Sequence, residues 1–291
     1  MDYGNLYDTY KPLLFTVAYQ MIGTIKEAED IVHDVFVQLD NIDLTNIDDL
    51  KAYLTKMTTN KCLNYLKSSV KKREIYPGPW LPEPIVNLDE NTPLDNLLKE
   101  ESISYAFVVL LHQLTDLERC IYLLREVLIF DYKFISVILN KSKQSCRKVY
   151  SRAKQKLQRM KPCKKTVSKE ADELAKIFLR AVESGNFEPF IDHLTKDVIL
   201  ISDGGGKVLS AMYPIYNKNR VVAFLQGIHK RGSFQGQLRM VNVNAGIGIL
   251  QQKQGEPVKL ITFDFTETGV QHIYIVMNPD KLQEIGHNFS F

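Results

Sequence analysis

Prolines at 77, 79, 82, 84 and 93 interrupt a chain whose flanking sequence reads as helix on both sides. Each proline lacks a backbone donor and clashes with the turn before it, so no helix passes through this stretch. Tyr76-Pro-Gly-Pro-Trp-Leu-Pro-Glu-Pro84 is therefore expected to be an extended linker. The chain has to fold as separate pieces on either side of it.

Charge divides the chain in the same way. Residues 1–50 sum to −8, 51–73 to +7 with no acid, 74–131 to −8, and 132–165 to +12, again with no acid. Residues 166–291 balance to 0, so the net charge of +3 hides two dense basic blocks. Cations this crowded repel one another unless a polyanion faces them, which points to nucleic acid gripped at two places. At 291 residues and 45% hydrophobic, the chain has room for two or three small domains. The start, Met1-Asp2-Tyr3-Gly4-Asn5, is unlike a secretory signal, and the apolar stretch Tyr105 to Leu111 is far short of a bilayer span. Cys62, Cys120, Cys146 and Cys163 are scattered without a Cys-x-x-Cys pair, which favours reduced thiols over zinc or disulfides. A soluble cytoplasmic protein with no cofactor, metal or membrane contact is expected.

Periodicity places the helices. Leu6, Tyr10, Leu13, Leu14, Val17, Ala18 and Met21 recur at three and four residues before Gly23-Thr24. Ile31, Val35, Phe36 and Leu39 form the next stripe, in a helix opened by Thr24 with Glu27, Glu29 and Asp30 at the positive end of its dipole. A third helix is expected from about Asp48 to Val70, burying Leu50, Tyr53, Leu54, Met57, Leu63 and Leu66. Helix resumes near Leu94, and Thr115-Asp-Leu-Glu118 has capping-box spacing ahead of a stripe of Leu117, Ile121, Leu124 and Leu128.

Asp131 and Ser142 are placed to cap two short helices joined by an Asn140-Lys141 turn. In the second, Cys146, Val149, Ala153 and Leu157 form the buried stripe, leaving Gln144, Arg147, Lys148, Ser151, Arg152 and Lys154 outward. A helix–turn–helix of this kind lays the start of its second helix on major-groove base edges and its later cations on phosphates. The block 51–73 differs. Lys56, Lys61, Lys67, Lys71, Lys72 and Arg73 are interleaved with Thr58, Thr59, Asn60, Asn64 and Tyr65, amides and a ring that suit unstacked bases.

Beyond Lys161-Pro-Cys-Lys-Lys165, an amphipathic helix over Glu170–Ser184 precedes alternating stretches at 198–202, 208–215, 238–243, 247–251, 258–265 and 270–277. That order argues for an α+β domain on a curved sheet. Asp203-Gly-Gly-Gly-Lys207 reads as a strand-connecting turn or a docking surface. It is not a phosphate-binding loop, because Val208 stands where Ser or Thr is needed. His193, His229, His272, Asp203, Asp264 and Glu267 are available acids and bases, but no spacing among them demands proton transfer.

Three motifs carry a resemblance. Ala28-Glu-Asp-Ile-Val-His-Asp-Val-Phe36 resembles the polymerase-binding helix of extracytoplasmic-function sigma factors, and Asp49 to Leu66 resembles their promoter-melting helix. Leu114 through Ala153 is similar to the helix–turn–helix of their fourth domain. Trp80-Leu-Pro-Glu-Pro84, Asp203 to Lys207 and Asn278-Pro-Asp-Lys-Leu282 are similar to signatures of a subgroup with a fused SnoaL-like domain. The implied fold is multidomain: two all-α sigma domains, the second with the helix–turn–helix, then an α+β cone related to nuclear transport factor two. The implied divisions are a second sigma domain over 1–73, a linker over 74–93, a fourth domain over 94–162 and a regulatory domain over 166–291.

The resemblance implies a non-enzymatic alternative sigma factor that binds core RNA polymerase, at the β′ clamp and β flap, and directs it to promoter DNA. Asp30, His33, Asp34 and Phe36 would face the clamp. Asn60, Lys61, Asn64 and Lys67 would engage the melted −10 element, and Gln144, Ser145, Arg147, Lys148, Ser151 and Arg152 the −35 duplex. Trp80, Leu81, Pro82, Glu83 and Pro84 would meet Asp203, Gly204, Gly205, Gly206, Lys207 and Asn278, Pro279, Asp280, Lys281, Leu282, with Trp80 buried near the glycine turn. Two other readings stay open. One is a small-molecule enzyme or sensor, with a ligand in the C-terminal domain; the other is a duplex-only regulator, which has no need of the 51–73 block.

Overall fold

A computed structural model describes residues 3–40, 42–68, 76–87, 104–160, 168–283 and 285. The chain forms two compact units, residues 1–74 with 108–162, and residues 75–107 with 163–291. The proline-rich stretch therefore belongs to the second unit. Among the described residues, no helix is long and apolar enough to cross a membrane.

In the first unit, helices α1 (Tyr3–Ile22), α2 (Ile25–Leu39) and α3 (Leu50–Ser68) pack together. Gly23 ends α1 at φ 82°, its N–H donating to Tyr19 O at 2.7 Å, because a left-handed residue is needed there. Thr24 sits at the N-cap of α2 but its hydroxyl makes no capping bond, contrary to expectation. In α3 the buried face is not the aliphatic stripe the sequence suggests. Ala52, Leu54, Thr55, Thr58, Thr59, Cys62 and Leu66 are buried, while Leu50, Tyr53, Met57 and Leu63 are half-buried. This helix touches α1 and α2 and also two later helices, so its covered arc is broad. Thr55 and Thr58 tolerate burial because each hydroxyl donates to the carbonyl four residues back, at 2.8 and 3.0 Å.

The remainder of this unit comprises the end of α4 (Tyr105–Leu111), then α5 (Asp116–Tyr122), α6 (Tyr132–Leu139) and α7 (Lys143–Arg159). Thr115 and Glu118 form the expected reciprocal capping box. After Tyr122 the helix widens into a π turn over Leu123–Val127. That slip rotates the stripe, so Cys120, Ile121, Leu123 and Leu124 are buried while Leu117 and Leu128 are half-buried. Asp131 accepts from Phe134 N at 2.7 Å, Asn140 turns the chain at φ 48°, and Ser142 accepts from Ser145 N at 3.1 Å. The helix–turn–helix is thus capped at each point where the sequence placed a cap. The helix expected from near Leu94 falls, at its start, on residues outside the described ones.

The second unit holds α8 (Ser168–Ser184), α9 (Glu188–Ile191), α10 (Lys218–Lys230) and a seven-stranded sheet. Its strands are β1 (Val86–Asn87), β2 (Leu194–Asp203), β3 (Ile215–Tyr216), β4 (Gln237–Val243), β5 (Gly246–Lys253), β6 (Glu256–Thr266) and β7 (Gly269–Val276). They lie in the order β1-β4-β5-β6-β7-β2-β3, antiparallel except for β2 beside β7. This is the expected α+β cone. Residues 208–215 do not form the expected strand. The glycine turn folds Val208 N back onto Gly204 O at 3.1 Å, and only Ile215 and Tyr216 reach β2.

One face of the sheet carries Leu200, Ile249, Ile261 and Ile273 into a core with α8 and α10. Phe178 lies at its centre, with ring centroids of Phe190, Phe263 and Phe234 within 5.9 Å. Side chains alternate across a strand, so Val243, Leu250, Leu260, Tyr274 and Val276 point to the other face, and they are buried too. After the prolines, Val86 extends the sheet by pairing with Val243, and on that second face Tyr105 packs edge-on against Tyr274 at 5.9 Å.

Candidate nucleic-acid faces and linker seat

Helix α7 presents a solvent face of cations. Cys146, Val149, Ala153 and Leu157 are buried, and Gln144, Arg147, Lys148, Ser151 and Arg152 are exposed, with Ser145 half-buried. The Arg147 guanidinium lies 5.4 Å from the Tyr132 ring centroid, which steadies it without neutralising it. Two exposed cations further along are paired with acids instead. Lys154 is 3.5 Å from Glu126, and Lys156 is 2.7 Å from Glu118. Burial pushes the Glu118 carboxyl up, but Lys156 and Thr115 outweigh it and hold the group below the usual carboxylate range.

On α2, Asp30, His33 and Asp34 are exposed, while Phe36 is half-buried against the Tyr7 ring at 4.7 Å. On α3, Asn64 and Lys67 are exposed and Asn60 and Lys61 half-buried. Lys61 Nζ donates to Asp34 Oδ2 at 3.1 Å, so one residue from each expected contact surface shares an ion pair. Lys71, Lys72 and Arg73 lie outside the described residues.

A buried arginine joins the two halves of this unit. Arg119 on α5 donates to the Met21 carbonyl at the end of α1, contacts Asp116 at 3.1 Å and lies 2.8 Å from His112 Nδ1. Periodicity gave no sign of it, since a cation on a helix is ordinarily solvated. Neighbouring thiols are inert: burial pushes Cys120 up to about 12 despite Arg119, and Cys62 higher still.

In the second unit, Asp203 ends β2 fully buried and gathers the linker. Its Oδ1 accepts from Tyr76 Oη at 2.5 Å and Gly205 N at 2.9 Å. Its Oδ2 accepts from Leu81 N at 2.9 Å and Lys281 Nζ at 2.7 Å. Lys281 also donates to the Leu81 carbonyl, so one ion pair holds both polar groups of a single linker residue. Burial lowers the Lys281 ammonium and Asp203 partly restores it; burial and Asp203 raise the Tyr76 phenol. Asn278 donates to Tyr76 Oη at 3.0 Å, and Lys207 pairs with Asp280 at 2.6 Å.

The seat extends along the linker. Leu81, Pro82, Glu83 and Pro84 are buried, Pro82 O accepts from Tyr105 Oη at 2.8 Å, and Ile85 exchanges hydrogen bonds with Asn244. The glycine turn is required for close approach. A β-carbon at Gly206 would sit 2.3 Å from Pro77, and one at Gly205 2.5 Å from the Asn278 side chain, both at positive φ.

The family model for Sigma-70 region 2 matches residues 6–72, and that for Sigma-70 region 4 matches residues 105–157. Over 289 residues the chain is 28% identical to the RNA polymerase sigma factor SigJ of Mycobacterium tuberculosis, covering 94% of this chain and 91% of the relative. A probable sigma factor of that organism, SigI, is 23% identical over 196 residues, 65% of this chain and 66% of the relative. The crystal structure of the M. tuberculosis SigJ superposes with a TM-score of 0.79 at 25% identity, over 96% of this chain and 98% of that one. The chain belongs to the extracytoplasmic-function sigma factors.

Within this sigma factor, the linker contact differs in detail from expectation. Trp80 is half-buried, not buried, and its ring lies under the Lys281 ammonium at 4.3 Å. Pro77 meets the glycine turn at Gly206. Tyr76 was missed because its partner lies 127 residues away. Of the candidate acids and bases, Asp264 and His272 do meet, at 2.9 Å across β6 and β7. His229 Nε2 lies 2.8 Å from the Val182 carbonyl, a structural contact. Among the described residues, no three His, Cys, Asp or Glu side chains cluster to hold a metal ion.

Proposed function

We propose that this cytoplasmic, non-catalytic sigma factor engages core polymerase through the exposed Asp30, His33 and Asp34 face of α2, with Phe36 beside it, and through its fourth domain at the β flap. Asn60, Lys61, Asn64 and Lys67 take the melted −10 strand, and Gln144, Ser145, Arg147, Lys148, Ser151 and Arg152 take the −35 duplex. The C-terminal unit regulates this activity by holding the linker. The observation that carries the reading is the buried Asp203–Lys281 pair clasping both backbone polar groups of Leu81. A linker fixed along 76–87 restricts how far apart the two DNA-binding faces can be set, and a fused domain acts at high effective concentration.

The test is promoter-dependent transcription with purified core polymerase. Full-length protein, a truncation at Pro162 and Asp203→Ala are expected to give three different outputs. Equal outputs would remove the regulatory reading. No core-dependent transcription from any of them would remove the reading of the two basic faces as promoter contacts.

A further inference from the structure

Two exposed cations of α7 are held in different ways. Lys154 lies over the Tyr150 ring, donates to its hydroxyl at 3.2 Å and pairs with Glu126, so an acid takes up its charge. Arg147 is held by a ring, with its guanidinium 5.4 Å from the Tyr132 centroid. The acids of α5 and of the π turn behind it are engaged by other cations: Asp116 by Arg119, Glu118 by Lys156 and Glu126 by Lys154. A carboxylate beside Arg147 would occupy its N–H donors and offset its charge, whereas the face of a ring does neither. The guanidinium keeps its two-pronged donor edge for a base.

Local sequence fixes the ring itself. Asp131 caps α6, which makes Tyr132 the first residue of that helix. Arg147 and Tyr150 are three apart on α7 and so share a face. Tyr150 meets the Tyr132 ring edge-on, at 6.1 Å and 74°. Tyr150 is in turn stacked on Tyr122 at 6.3 Å, and its hydroxyl donates to Glu126. Arg125, from the π turn, also lies 5.1 Å from the Tyr132 centroid, while its Nη1 donates to Phe130 O at 2.9 Å. The ring is thus tied to the turn before α6 by Arg125 and to α7 by Tyr150. Two guanidinium groups drawn to one ring repel each other, and an acceptor arriving at Arg147 relieves that repulsion.

We propose that Tyr132 is a positioning residue for promoter recognition, its ring holding the Arg147 guanidinium ready to read a −35 base edge. Tyr132 acts through Arg147 and need not touch DNA. An unrestrained arginine on a helix surface samples many rotamers, and binding a base must select one of them. Restraint on the ring beforehand lowers that cost for the base Arg147 reads and for no other contact. The inference rests on the reading of α7 as the −35 contact.

The experiment uses the full chain assembled with core polymerase and a pool of duplexes randomised across the −35 and −10 regions. Sequencing the bound fraction gives the discrimination at each position. Arg147→Ala identifies the position whose discrimination depends on that residue. Tyr132→Leu is expected to lower discrimination there by roughly two- to five-fold, the range of a solvent-exposed cation–ring contact. Other positions and the salt slope should stay as in the unaltered protein. Tyr132→Phe, which keeps the ring, should discriminate as the unaltered protein does, and Tyr132→Leu should have no effect in the Arg147→Ala background. Circular dichroism melts show which variants are folded, and Tyr132→Gln replaces Tyr132→Leu should the latter not fold. No loss, equal losses at every position, the same loss in Tyr132→Phe, or an undiminished effect without Arg147 would each overturn the proposal. If Arg147→Ala changes discrimination nowhere, the reading of α7 itself fails, and the positioning role falls with it.

Discussion

Two lysine–aspartate pairs, one in each unit, have similar geometry and opposite surroundings. Lys61 and Asp34 meet at 3.1 Å with side chains 22% and 64% exposed, while Lys281 and Asp203 meet at 2.7 Å with side chains 6% and 0% exposed. At the surface, water and salt screen the attraction, and the pair opens at little cost. In the interior, removing either partner strands a charge away from water. The first pair is a loose clip between two exposed helix faces. The second fixes the linker in one arrangement. Burial, rather than distance, separates a contact that opens at little cost from one that does not.

The largest effect should come from breaking the buried pair. Lys281→Met leaves Asp203 uncompensated, and such losses run to about 3–5 kcal/mol. Released linker should show as new proteolytic cleavage within 76–87 and a red shift in Trp80 emission. Asp203→Leu with Lys281→Met removes the stranded charge and should recover part of the loss, but not all, since Tyr76 and Leu81 N have lost their acceptor. Wild-type emission and protease resistance in Lys281→Met would mean the pair does not hold the linker.

A third lysine sharpens the contrast, because it is buried beside no carboxylate among the described residues. Lys259 donates to Ser233 O at 2.7 Å and Ser233 Oγ at 2.8 Å, with its ammonium 4.5 Å from the Phe234 ring. Burial, with a smaller contribution from Lys253, lowers its pKa from 10.5 to about 8. Between these values the unfolded chain binds more protons than the folded one, so stability rises with pH across that window. Complete relief of the penalty amounts to about 3 kcal/mol, approached only above the unfolded-state value. Urea midpoints taken from about pH 7.5 to 9.5 should rise in the native protein relative to Lys259→Met, where this contribution is gone. Parallel pH profiles for the two proteins would show that Lys259 is not desolvated as described.

The same division explains what was legible in the sequence. Caps act within four residues, so Asp131, Thr115 and Ser142 declared themselves, and so did the stripe of Cys146, Val149, Ala153 and Leu157. Helix α10 was overlooked although Val221, Phe224, Leu225 and Ile228 recur at three and four residues, a signal that was there to be read. Arg119 and Lys259 were not legible in the same sense, and Lys281 was named only through the resemblance, not for its burial. Hydrophobic pattern assigns a cation to solvent, and their burial depends on partners brought near only by the completed fold. Trp80 was expected in the seat from the resemblance, but the buried groups there are Leu81 and its neighbours, fixed through backbone hydrogen bonds that carry no side-chain signature.

The smallest expected effect lies at the exposed pair, and it bears on how polymerase and promoter binding are connected. Under the proposed function Asp34 faces polymerase and Lys61 faces the melted strand, yet in this structure they bind each other. Any partner that takes Asp34 frees Lys61 for a phosphate, so core binding would favour −10 binding without any larger rearrangement. Exposed pairs contribute about 0.2–1 kcal/mol, which limits this coupling to roughly a five-fold change in affinity. Asp34→Asn should therefore strengthen binding of a single-stranded −10 oligonucleotide to the free protein within that limit. The gain should disappear in a Lys61→Met background and fade as salt is raised. The four proteins of this double-mutant cycle measure the pairwise contribution directly. An equal effect of Asp34→Asn with and without Lys61 would show that the carboxylate acts on DNA by general repulsion, and that the pair couples nothing.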